Sequence, residues 1–230
     1  MKQNRNSRIL ILGGGINQYP FIKAAHELGL YVILCDQDEN NISMNLADRF
    51  YQVSIIDKVA VLDVAIKENI DGIISSSEPG MHSVSYVADK LRLPSISYES
   101  FLILVSKSKM KEFLKQNNFN YPKYLLVGEK YNVSEIKNLF SEWQCSVIVK
   151  PTDSSGSRGV SLVENISELE TKIQKALKYS KSKNIILEEY IEQKYDFMIG
   201  GDIFVADNEV VFWGIMDSMR DLKINDYVPT

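Results

Sequence analysis

A chain of 230 residues with 45% apolar and 24% charged residues can bury one large core or two smaller ones. Its formal net charge of −4 argues against a broad nucleic-acid surface, and no apolar run approaches the ~18 residues of a membrane span. Residues 1–8 are polar and unlike a signal peptide, so a cytoplasmic protein with no nucleic-acid or membrane partner is expected. Cys35 and Cys145 are far apart and lack metal-ligand spacing; both read as buried free thiols beside apolar runs.

A strand is predicted over 9–12, followed by Gly13-Gly14-Gly15, a helix over 16–28 closed by Gly29, and a strand over 31–35 ending at Asp36. Pro20 is tolerable in the first turn of that helix. A strand over 50–53, a helix over 58–69, a strand over 72–75 and a helix over 81–91 continue the alternation. Such alternation implies a parallel sheet with helices on both faces. After Leu93-Pro94 the pattern changes to helices over 97–106 and 108–117, with a boundary at Tyr121-Pro122. Strand, helix, strand, strand, helix, strand then follow over 124–127, 133–143, 147–149, 160–163, 167–179 and 185–187. Segments 197–206 and 209–215, joined by Asp207-Asn208, read as a hairpin.

Four places along this order carry candidate chemistry. Gly13-Gly14-Gly15-Ile16-Asn17-Gln18 departs from the dinucleotide fingerprint at Gln18, while Asp36 falls where a ribose-binding acid would sit. The turn reads equally as ligand-facing or as a backbone requirement for glycine. In Ser75-Ser76-Ser77-Glu78 the serines are expected to cap the next helix, and Glu78 is the residue of interest. Gly14, Gly15 and Glu78 are the substrate-side candidates.

Lys150 ends an apolar strand, where a charge needs a partner or ligand. A loop with Gly156 and Gly159 follows, and then another strand instead of the helix that a P-loop requires. Backbone N–H groups of such a loop can cradle oxyanions, with Arg158 able to add a bidentate grip. The strand over 185–187 runs into Glu188-Glu189-Tyr190-Ile191, where exposed backbone can read an adenine edge. Lys107, Lys109, Lys111 and Lys115 read mostly as a solvated helix face. His26 and His82 lie on helices without a companion ligand.

In this order the pieces resemble the ATP-grasp superfamily over nearly the whole chain. Within it, carbamoyl-phosphate-synthase-like proteins and the phosphoribosylaminoimidazole carboxylase ATPase group are most similar. Leu12-Gly13-Gly14-Gly15, Ala25 to Gly29, Asp36 and Ala47-Asp48 resemble the pre-ATP-grasp domain of carboxylate–amine ligases. The resemblance implies an α/β fold: a Rossmann-like, parallel-sheet pre-ATP-grasp domain over 1–106, then the α+β N-terminal ATP-grasp lobe over 107–188. Residues 189–230 would begin a truncated C-terminal lobe.

Ser108-Lys109, upstream of Pro122, resembles the family's Asp-Lys pair, with Ser108 replacing the aspartate and Lys107 a nearby alternative. Lys150 with Pro151 matches the phosphate-contacting lysine, and Ser154, Ser155, Gly156, Ser157 and Gly159 match the flexible glycine-rich loop. Glu188, Glu189, Tyr190 and Ile191 match the adenine hinge, and Asp196 falls near a ribose-binding glutamate. ATP is the implied cofactor. Mg2+ is expected for the complete enzyme, its ligands lying outside this chain: Asp202, Asp217, Asp221 and Asp226 receive no metal role.

The expected activity of the complete protein is ATP-dependent activation of a small-molecule carboxylate for attack by an amine. This form is expected to bind ATP weakly and to lack turnover. An unburied lobe face would favour a homodimer. The competing readings are a non-catalytic nucleotide-binding module and an NAD-dependent oxidoreductase.

Overall fold

The structure is a computed structural model that describes residues 7–154, 156–192 and 198–218. The chain divides into two units, Met1–Leu104 and Val105–Thr230. No described helix is long and apolar enough to cross a membrane.

The first unit is built on a parallel sheet of β1 (Arg8–Leu12), β2 (Tyr31–Asp36), β3 (Arg49–Gln52) and β4 (Gly72–Ile74), in the order β3-β2-β1-β4. Between and after the strands come α1 (Tyr19–Glu27), α2 (Lys58–Glu68), α3 (Glu78–Leu91) and α4 (Tyr98–Leu104). The continuous apolar runs of β1 and β2 follow from burial on both faces. Leu10, Leu12, Ile33 and Cys35 pack with Val61, Val64, Val84 and Val87, whereas Ile11, Val32 and Leu34 pack with Ile22 and Ala25. Helices on both faces are therefore present, as the alternation predicts.

Local chemistry sets the ends of these helices. The Asp57 carboxylate caps α2 by accepting the N–H groups of Val59 and Ala60. α1 carries Pro20 in its first turn and is followed by Gly29 at φ +70°. α3 begins earlier than the predicted residue 81, because Pro79 fits the first helical turn. The expected serine cap of α3 is absent: Ser77 makes no side-chain cap hydrogen bond. Ser75 Oγ instead donates to the Leu12 carbonyl at 3.1 Å, tying the end of β4 to the end of β1.

The second unit contains α5 (Lys107–Gln116), β5 (Tyr124–Val127), α6 (Val133–Trp143), β6 (Val147–Pro151), β7 (Ser161–Val163), α7 (Leu169–Tyr179) and β8 (Ile185–Glu189). Its four strands pair antiparallel in the order β5-β8-β6-β7. Val127, Val147, Val149, Val163, Ile185 and Leu187 bury against Ile136 of α6 and Leu169, Ile173 and Ala176 of α7. A void of about 10 Å³ beside Trp143 lies within this core and is too small to be a ligand site. Two longer strands, β9 (Met198–Ala206) and β10 (Glu209–Ser218), form a separate hairpin. Asp207 and Asn208, at φ 51° and 64°, supply the left-handed pair that a tight hairpin turn requires.

Candidate functional site

Strand alternation divides β6 between two environments. Val147, Val149 and Pro151 are buried, while Ile148 and Lys150 project to the opposite face. Ile148 pairs with Glu188 on β8, and Lys150 pairs with Ile186, so Lys150 and Glu188 are diagonal neighbours on one face. Lys150 Nζ donates to Glu188 Oε2 at 2.7 Å. Lys111 Nζ stands 3.2 Å from Oε1 of the same carboxylate. That approach suits ion pairing but is poorly aligned for hydrogen bonding, and the buried Oε1 has no hydrogen-bond partner among the described residues.

Lys107 belongs to the same helix face as Lys111, one turn earlier. Its Nζ donates to the Ser154 carbonyl at 2.7 Å, joining α5 to the glycine-rich loop. The expected Ser108-Lys109 pair lies in the first turn of α5. Ser106 is the N-cap of α5, its Oγ accepting the Lys109 N–H at 3.4 Å, and the Lys109 side chain is exposed. Helical period then turns Lys107 and Lys111 to one side and Lys109 away. Lys111, read from sequence as part of a solvated face, is brought by the fold against Glu188. A helix start fixed at Ser106 was the signal that could have found it.

Gly156, Ser157 and Gly159 adopt left-handed backbone at φ 63°, 54° and 79°. Ser155 lies outside the described residues, as does Asp196. In the hinge, Glu189 N–H donates to Lys123 O at 2.9 Å and Tyr190 N–H to Ser146 O at 2.8 Å. Glu189 Oε2 accepts the Lys123 N–H at 3.2 Å, so this second carboxylate works at the sheet edge. Ile191 is exposed beyond these bonds. The cluster thus sets Lys111 and Lys150 against one buried carboxylate, with Lys107 of α5 reaching the adjoining loop. Such an excess of partly buried positive charge favours an anionic ligand.

At the carboxyl end of the first unit's sheet, Gly14 N–H donates to Asp36 Oδ2 at 2.6 Å and Asp38 N–H to Oδ1 at 2.8 Å. Each oxygen of Asp36 thus accepts one backbone N–H from the loops around it. Gly13 adopts φ +98° and donates its N–H to Cys35 O at 2.9 Å. Gln18, in the third-glycine position, is buried and donates from Nε2 to Ser76 Oγ at 2.6 Å. Gly15 O accepts the Gln18 N–H at 3.1 Å, and Glu78 is exposed in the first turn of α3.

The histidines and cysteines have identifiable partners or environments. His26 Nε2 lies 3.3 Å from Asp48 Oδ2, and His82 Nε2 lies 3.3 Å from the Tyr98 hydroxyl. Burial, and then the Asp36 charge, push the Cys35 thiol up to about 12. Cys145 is only half-buried, contrary to the expectation. Among the described residues no three His, Cys, Asp or Glu side chains gather in a metal-binding group. Asp202 and Asp217 lie on β9 and β10, while Asp221 and Asp226 fall outside the described residues.

The D-ala D-ala ligase C-terminus family matches residues 113–211. Formate-dependent phosphoribosylglycinamide formyltransferase of Prochlorococcus marinus is 30% identical over 197 residues, covering 84% of this chain and 50% of that protein. The chain spans about half the length of the curated relatives it matches. Phosphoribosylglycinamide synthetase from Anaerococcus prevotii shares 29% identity at TM-score 0.71, with 93% of this chain and 51% of that chain covered. N5-carboxyaminoimidazole synthetase from Staphylococcus aureus complexed with ADP shares the fold at TM-score 0.73 and 18% identity, covering 95% and 57%. With the parallel sheet of its first unit and the lysine-bearing antiparallel sheet of its second, the chain belongs to the ATP-grasp superfamily.

Proposed function

We propose that this chain binds ATP through its second unit, as the nucleotide-binding portion of a ligase that activates a carboxylate as an acyl phosphate for attack by an amine or similar nucleophile. The observation that carries this reading is the Lys111–Glu188–Lys150 cluster, beside a glycine-bearing loop that Lys107 contacts. Lys107 and Lys150 neutralise phosphate charge, and backbone N–H groups of Ser154, Gly156, Ser157 and Gly159 face the phosphates. Glu188, Glu189, Tyr190 and Ile191 line the adenine side of the site, Glu188 also holding Lys111 and Lys150. ATP supplies the phosphoryl group that activates the carboxylate.

The proposed division is 1–106 for the substrate-side domain, 107–188 for the first ATP-grasp lobe and 189–230 for the start of the second. Gly14, Gly15 and Glu78 are its substrate-facing candidates. The described acids do not gather into a magnesium site, so no step is assigned to a metal here. A cytoplasmic location and a homodimer through the exposed apolar hairpin belong to the same reading; sedimentation velocity tests the latter.

Calorimetry with ADP and ATP, using NAD as control, tests the nucleotide assignment. Binding of the adenine nucleotides is expected, and Lys150→Ala is expected to weaken it by about tenfold or more, the scale of one charge-assisted hydrogen bond. Failure of the unsubstituted chain to bind either nucleotide would overturn the reading. Carboxylate-dependent phosphate release by this chain alone would refute the expectation that it lacks turnover.

A further inference from the structure

An aspartate at the start of a phosphate-binding loop is electrostatically out of place, because its charge opposes the oxyanions the loop would hold. The fold turns Asp153 away from that role. Its Oδ1 accepts from Ser180 Oγ at 2.9 Å and its Oδ2 from Ser182 N–H at 2.7 Å. Neighbouring Thr152, which is buried, donates both its N–H and its Oγ1 to Asn184 O at 3.1 Å. Ser180 Oγ also accepts the Asn184 N–H at 3.1 Å, closing the turn on itself.

The far end of the loop rests on the same region. Gly159 packs so closely that an added Cβ would lie 2.8 Å from Tyr179 Cβ and 2.9 Å from Pro151 Cγ. The turn that receives Asp153 then leads into β8, where Ile185 pairs with Pro151, Ile186 with Lys150, and Glu188 holds Lys150. One short connection therefore carries the loop on one side and the hinge strand on the other.

We infer that Asp153 is a positioning residue that anchors the glycine-rich loop to the turn between α7 and β8, fixing the phosphate and adenine sides of the site to one support. The part concerning nucleotide rests on the function proposed above. Burial pushes the Asp153 carboxyl up, but hydrogen bonds from Ser182, Ser180 and the Lys181 backbone outweigh it and hold the group below the usual aspartate value. The anchor is charged at neutral pH, as an ion-supported contact requires.

Arg158, exposed within the loop, gives a readout that needs no ligand. In limited trypsin digestion of the full chain, Asp153→Ala is expected to accelerate cleavage after Arg158 by about three- to tenfold, the effect of losing one or two partly exposed hydrogen bonds. Asp153→Asn, which keeps one carbonyl acceptor, is expected to fall between. Cleavage after Arg92 in the first unit serves as the control and is expected to stay unchanged. Unchanged cleavage at Arg158, or equal acceleration at both sites, would overturn the anchor.

ADP calorimetry supplies the second arm, with affinity expected to fall by a similar factor in Asp153→Ala. Faster cleavage with unaltered ADP affinity overturns the positioning role. If the unsubstituted chain binds no ADP, the nucleotide reading fails, and the Arg158 result still decides the anchor.

Discussion

Lys150 and Glu188 meet across neighbouring antiparallel strands at 2.7 Å, on the sheet face opposite the packed helices. A third charge, Lys111, approaches the other carboxylate oxygen at 3.2 Å. The carboxylate is the shared member, so the effects of removing each partner are unequal. Glu188→Gln leaves two lysines facing each other and is expected to destabilise the second unit by about 2–4 kcal/mol. Lys111→Met keeps the Lys150 pair and relieves lysine–lysine repulsion, so a change of about 1 kcal/mol or less is expected. Urea unfolding followed through Trp143, which packs against this unit's core, compares the two.

The choice between Lys107 and Lys109 is equally open to test. Lys107 reaches the Ser154 carbonyl, whereas Lys109 points to solvent. Lys107→Ala is expected to weaken ADP binding by about tenfold and Lys109→Ala by less than about twofold. The reverse order in calorimetry would restore the pair read from sequence.

Gly156 and Gly159 have similar backbone angles but different surroundings. Gly156 has no neighbour within 4 Å of an added Cβ, while Gly159 lies against Tyr179 and Pro151. Gly156→Ala should cost only the left-handed backbone penalty, about 1–2 kcal/mol. Gly159→Ala adds a steric clash and should cost about 1–3 kcal/mol more. Chemical denaturation of both variants gives the difference directly.

His82 makes the first unit sensitive to acid. Burial, and then the Lys58 ammonium, hold its imidazole below the ordinary 6.5; Lys58 Nζ and His82 Nε2 both contact the Tyr98 hydroxyl. With the folded value depressed, the unfolded chain binds the proton first as pH falls. This contribution is therefore complete above about pH 6.5 and is lost progressively below it, until the folded group also titrates. His82→Gln should flatten that part of the thermal-midpoint profile measured by circular dichroism, and an unchanged slope would assign the acid sensitivity elsewhere.

The order of elements was legible because it depends on local periodicity. Apolar runs in β1 and β2, helical spacing around Ala24 and Ala25, and the Asp207-Asn208 turn all act within a few residues. Lys150 and Glu188 were legible as residues ending apolar strands. Their direct contact was not, because it depends on a strand register across a sequence separation of 38. The serines before α3 misled because a hydroxyl near a helix start has a longer-range option: Ser75 bonds across the sheet to Leu12, at a separation of 63.

Sequence by itself determined a parallel βα layer, a following βαββαβ unit and the positions where ligand chemistry concentrates. Those properties follow from hydrophobic period and turn composition, which survive without knowledge of distant neighbours. Tertiary structure decided which charges meet. It gave Glu188 two lysines, turned Lys107 and Lys111 to one side of α5 and Lys109 to another, and turned Asp153 away from the loop it begins. Each choice rests on side chains brought together by packing, where a shift of one residue along a strand or helix would send the charge to another face.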